Sequence, residues 1–116
     1  MSNKDFRLKA DDIKKLIDSN LDCLATDRIT VDGCKVGFIY RDNPVGKYPD
    51  SGWCFFAGDE SDEYANDPSN SGVYHLNTIC NYDPDIIPFL DSDYGTAYYR
   101  DKEGNFLIDK KWKPSE

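Results

Sequence analysis

Asp59-Glu60-Ser61-Asp62-Glu63 places four carboxylates in one short stretch. Several carboxylates on a loop are what a hard cation needs, so calcium is the first chemistry to weigh. An EF-hand loop requires glycine at its sixth position and glutamate at its twelfth. Counted from Asp59, those positions hold Tyr64 and Asn70, and the pattern fails. No metal is assigned, and the stretch reads as a solvated acidic loop or as a surface for a partner. His75 is the one histidine, so a Ser–His–Asp or Cys–His arrangement would have to use it. Ser51 and Cys54 are the nucleophile candidates, but no G-x-S-x-G elbow surrounds Ser51. With 22 acidic residues, a carboxylate pair at acid–base spacing arises by chance and signals little. Neither a Walker A loop nor G-x-G-x-x-G is present, so nucleotide binding has no warrant.

Asp50-Ser51-Gly52-Trp53 feeds a large aromatic from a tight turn into an apolar run. Asp50 or Ser51 can accept backbone N–H bonds in such a turn, and Gly52 permits close approach. Trp53 is therefore either a core anchor or an exposed hot spot for a partner. Cys23, Cys34, Cys54 and Cys80 show no C-x-x-C spacing and each lies in an apolar stretch. Buried thiols fit them better than zinc ligands or disulfides.

These residues need elements to position them. Ile13, Leu16, Ile17 and Leu21 follow helical spacing and predict a first helix over residues 10–20, with Asp11 and Asp12 in its first turn. Residues 21–26 read as a strand, with a bend at Asp27-Arg28. Asp32-Gly33 is a hairpin signal that joins Ile29-Thr30-Val31 to a return strand over 34–41. On that strand Cys34, Val36, Phe38 and Tyr40 share one face; Lys35, Gly37, Ile39 and Arg41 share the other. Residues 53–57 read as a central strand, and 59–72 as mostly loop with one helical turn near 62–64. Residues 73–76 are extended, while 77–82 fit either helix or strand. Asp83-Pro84 marks a helix start that Pro88 keeps short. Residues 96–100 and 105–109 form a last hairpin in which Gly104 is left-handed, and Lys110 onward frays apart from Trp112. The expected fold is α+β: a mainly antiparallel twisted sheet with an N-terminal helix and one short helix packed on it, in a single domain over 1–116.

The chain has 116 residues and a formal charge of −8. That field repels phosphate backbones and anionic lipid, which argues against nucleic-acid and membrane partners. It favours encounter with a basic protein. No run approaches the roughly 18 apolar residues of a spanning helix, and the N-terminus carries no secretory signal pattern, so a cytoplasmic location is expected.

Three spaced segments carry a family likeness: Thr30-Val31-Asp32-Gly33; Val36-Gly37-Phe38-Ile39-Tyr40-Arg41; and Asp50-Ser51-Gly52-Trp53-Cys54-Phe55-Phe56-Ala57-Gly58-Asp59-Glu60. Leu76-Asn77-Thr78-Ile79-Cys80-Asn81-Tyr82-Asp83-Pro84, then Leu90 and Gly95-Thr96-Ala97-Tyr98, extend it. The set resembles a bacterial domain family long catalogued without a function, and is similar to the Imm33-type immunity proteins of polymorphic toxin systems. The likeness runs from about residue 21 to 109. It implies a cytosolic protein that binds and blocks a toxin, with no catalytic residues and no cofactor to carry over.

The expected function is therefore protein binding rather than catalysis. Asp59, Glu60, Asp62, Glu63 and Tyr64, with Trp53 or Tyr40 nearby, are the expected partner-binding residues. Two rivals stand beside it. One is a small hydrolase using His75 with a carboxylate, for which a deep pocket around His75 would speak. The other is a ligand-binding accessory domain with an apolar pocket lined by Phe38, Phe55 and Tyr98.

Overall fold

The computed structural model describes residues 4–43 and 50–112. The expected strand at 21–26 is β1, Asp22–Thr26. The chain then turns through a short helix, α1, Asp27–Thr30. β2 spans Phe38–Arg41 and β3 spans Asp50–Phe56. A helical turn, α2, Asp62–Ala65, precedes β4, Ser71–His75. The ambiguous stretch folds as α3, Leu76–Tyr82. A 3-10 segment, Pro84–Phe89, leads to the last hairpin, β5, Thr96–Arg100, and β6, Phe106–Ile108. Gly104 has φ 88° in that turn, as expected.

Among the described residues six strands form one sheet in the order β4-β1-β3-β2-β5-β6. β3 is central, as its unbroken apolar run predicts. The sheet is antiparallel except for one pair, β1 beside β3, with Leu24 opposite Cys54 and Ala25 opposite Phe55. The fold is α+β as expected. The parallel pair arises because β2 and β3 form an antiparallel pair and β3 inserts between β2 and β1.

Two local expectations are overturned. The helix over 10–20 is a single 3-10 turn, Ala10–Asp12, after which Ile13 is already extended. α3 offers the following backbone better partners than its own carbonyls. The Asn77 side-chain oxygen accepts from Leu16 N–H (2.7 Å) and Ile17 N–H (3.1 Å), and that of Asn81 accepts from Lys14 N–H (2.9 Å). Both amides also donate to the Lys14 carbonyl. Ile17 packs on the core, but Leu16 and Leu21 stay exposed, so no continuous stripe is buried.

The Asp32-Gly33 hairpin is also absent. Gly33 has the left-handed φ of 77° that a hairpin would need, but spends it closing α1, where Cys34 N–H reaches the Arg28 carbonyl at 2.9 Å. The return strand starts only at Phe38, and the alternation expected over 34–41 breaks at Gly37. A Cβ there would run into the Ala57 carbonyl. Val36 is buried in the core, yet Phe38 and Tyr40 point away from it, and Ile39 takes the inner face.

The core lies on one face of the sheet. Ala25, Phe55, Trp53 and Ile39 face Ile29 of α1, Ile79 and Cys80 of α3, and Ile86 of the 3-10 segment. One buried carboxylate fastens this cover. Asp83 N-caps the 3-10 segment by accepting from Asp85 N–H (3.1 Å), with Pro84 at the first position, as its sequence predicts. Its second oxygen accepts from Val36 N–H (2.9 Å) and Arg100 Nη2 (2.7 Å). Arg100 also donates from Nε to the Val36 carbonyl (2.8 Å), and its guanidinium lies 4.3 Å from the Phe106 ring centre.

Removing one partner of a buried, hydrogen-bonded ion pair leaves the other charge uncompensated. Asp83→Ala should therefore lower the unfolding free energy by about 3–5 kcal/mol in urea titrations. A loss below about 1 kcal/mol would place the pair with ordinary surface bridges instead.

Candidate functional site

The acidic stretch divides by what each side chain does. Glu60 turns inward: its carboxylate accepts from Ala57 N–H and Gly58 N–H, both at 2.8 Å, and from the buried Thr26 hydroxyl. It closes the turn at the end of β3 against the end of β1. Asp59 receives Arg28 Nε at 3.2 Å and a second, shorter bond from Nη2, while Arg28 also reaches Asp32 at 3.0 Å. The Arg28 hydrogen bond holds the Asp59 carboxyl below its ordinary 3.8. The contact is thus intact at neutral pH and is lost as pH falls through the lowered value.

Asp62 and Glu63 are left for solvent. They occupy the first turn of α2, where the exposed N–H groups favour negative charge. Ser61 caps the turn by accepting Tyr64 N–H at 3.1 Å, and Asn70 ties its other end by donating to the Tyr64 carbonyl at 3.1 Å. Asp62 and Glu63 are exposed and carry no side-chain partner among the described residues. Tyr64 is half-buried, and desolvation pushes its phenol up.

Tyr40 stacks between two rings, Phe56 at 5.7 Å and Trp112 at 4.7 Å. Burial raises its phenol as well. Phe56 and Phe38, with Gly58, Glu60 and Ala65, line a shallow hollow of about 180 Å³. The acidic turn and Tyr40 therefore lie on the same side of the sheet, joined by Phe38 and Phe56. The expected partner-binding residues did not include Phe38, Phe56 or Trp112. Their signal was the Phe38–Tyr40 alternation, which the reading left without a solvent face.

Trp53 lies elsewhere. It is on the opposite face, 1% exposed, with Nε1–H donating to the Leu90 carbonyl at 3.2 Å. Ser51 Oγ accepts its backbone N–H, and Gly52 takes φ 84°, where a Cβ would strike the Asp42 carbonyl. Trp53 is thus the core anchor of the turn, on the face opposite Tyr40 and the acidic stretch.

The residues of the rival readings are placed as follows. His75 pairs with Asp22 (Nδ1–Oδ1 3.0 Å), but its side chain is 74% exposed. Phe55 and Tyr98 face the core while Phe38 faces away, so the three cannot line one pocket. All four cysteines are thiols, and burial pushes Cys80 up to about 11, far from the thiolate a nucleophile needs. Among the described residues no three or more His, Cys, Asp or Glu side chains group to hold a metal. No helix among them is long and apolar enough to cross a membrane.

The α+β domain thus carries an acidic turn beside a row of half-buried rings. The family model described as the immunity protein Imm33 domain matches residues 23–110, most of the chain, and the chain belongs to that family. Among curated proteins and solved structures nothing matches it.

The division of the acids has a measurable consequence. Glu60→Ala strips acceptors from backbone N–H groups and a buried hydroxyl, and should cost about 1–3 kcal/mol in urea unfolding. Asp62→Asn and Glu63→Gln should stay within about 0.5 kcal/mol. Iodoacetamide at pH 8 followed by peptide mapping should leave Cys80 unmodified in the folded chain and label it in urea.

Proposed function

We propose that this chain is the immunity partner of a bacterial toxin, and that it works in the cytoplasm by binding the toxin rather than by catalysis. The observation that carries this is the family match, which covers every strand from β1 to β6 apart from its first residue. The solvent-facing groups support it. Among the described residues Asp62 and Glu63 are unpaired carboxylates on a capped turn that also holds Tyr64, and Tyr40 lies on the sheet face that Phe56 shares. Asp59 and Glu60 shape that turn from within, so their part in recognition is to hold it in place. A net charge of −8 speeds encounter with a basic partner and discourages nucleic acid as a rival.

The test is co-expression with the toxin domain encoded beside this chain. Cells carrying both should grow, cells carrying the toxin alone should not, and the two proteins should co-purify as a stoichiometric complex. Growth arrest despite full expression of the folded chain would refute the proposal.

A further inference from the structure

We infer that the sheet face turned away from the core is where the partner seats, and that it takes a protein surface with an apolar centre bordered by lysine or arginine. The inference deepens the immunity reading and rests on it for the partner being a protein.

The register of the strands carries the argument. On the outer face, Leu107 lies opposite Tyr99, Tyr99 opposite Phe38, and Phe38 opposite Phe56. This is an apolar row across β6, β5, β2 and β3. A second row runs beside it through Ala97, Tyr40, Cys54, Leu24 and Val73, across five strands. At roughly 4.8 Å per strand, each row extends for about 15–20 Å. An open face of an antiparallel sheet ordinarily alternates to polar residues. Here the outward positions on β2, β3, β5 and β6 named above are aromatic or otherwise apolar, and polar outward positions, Asp22, Thr26, Ser71 and His75, are confined to β1 and β4. Tyr99 is 43% exposed, Leu107 42% and Val73 52%. Leu24, Phe38, Tyr40, Cys54 and Phe56 between them are half-buried and Ala97 is buried, so the rows form a partly covered apolar face whose exposed ends are Tyr99, Leu107 and Val73, and an apolar face of this kind marks an interaction site.

Charge selects the occupant. α2 stands at one end of the rows, with Ala65 over Phe38 and Phe56. Asp62 and Glu63 in its first turn, without a side-chain partner among the described residues, bring negative charge to that end. A second copy would bring its own −8 to the same surface, and anionic lipid or nucleic acid would bring phosphates. Lysine or arginine at the border of a partner meets both the carboxylates and the aromatic rings, which attract cations over their faces. Trp112, stacked on Tyr40, adds a large ring of the kind enriched at interface hot spots.

The decisive experiment measures the dissociation constant for the toxin domain against which the chain protects. Tyr99→Ser with Leu107→Ser should weaken binding by at least about tenfold while the melting temperature stays near that of the wild type. Asp62→Asn with Glu63→Gln should slow association and flatten its salt dependence. Ile108→Ser, an equally exposed apolar change at the edge of the covered face, should leave affinity unchanged. Unchanged affinity in the Tyr99/Leu107 variant would overturn the inference while the immunity function stands. Absence of any protection or binding by the wild type would instead remove the immunity function. NMR shift mapping with a hexapeptide of alternating lysine and tryptophan then decides the face by itself. Shifts at Phe38, Tyr99, Leu107 and α2 support it, and shifts centred elsewhere overturn it.

Discussion

The contact on which the rest of this molecule depends is the carboxylate of Asp83. It is fully buried and ionic, and it joins the start of the 3-10 segment, the backbone before β2, and Arg100 at the end of β5. Burying two charges costs more than an isolated pair returns, so the geometry must be complete to be tolerated. It is complete here: both oxygens are used, and Arg100 spreads its donors over Asp83, Asp85 and the Val36 carbonyl. The result is a fixed orientation of the helical cover against one face of the sheet. Among the described residues the helical cover lies on that side, and the other face carries α2 and Trp112.

Much of this was legible in the sequence wherever the signal was local. The continuous run at 53–57 marked the central strand, Asp83-Pro84 marked the capped start, and Gly104 marked the last turn. The failures share a cause. The stripe of Ile13, Leu16 and Ile17 has helical spacing, but Asn77 and Asn81, more than 60 residues away, supply its backbone with hydrogen bonds. Gly33 has the positive φ that its hairpin signal calls for, but the same φ closes a helical turn or a hairpin, and Asp27–Thr30 decides between them. The parallel pairing of β1 with β3 has no local signature at all.

The candidate site divides the same way. That residues 59–64 form a polar turn with a little helix was readable, because Ser61 is a capping residue and the acids suit a first turn. Which acids remain free was not, because Glu60 is claimed by Thr26 and Asp59 by Arg28, each more than 30 residues earlier. Family membership assigns the chain to immunity proteins, and the structure adds which of its charges are already occupied. Counting carboxylates overstates the charge this turn can offer: two of the four serve its own architecture.

The insertion of β3 between β1 and β2 bears on how the chain comes into being. Strands that pair with their sequence neighbours can fold as they emerge, but β1 must wait for β3 across the whole of α1 and β2. Pairing at such separation slows folding, because the intervening chain must be ordered before the contact forms. The outer apolar rows inherit this delay and extend it, since one of them runs from Phe56 in the first half of the chain to Leu107 in the last strand. No fragment made during synthesis holds the full surface. It exists only once the C-terminal hairpin has left the ribosome and closed, so half-made copies lack it and only finished chains carry it.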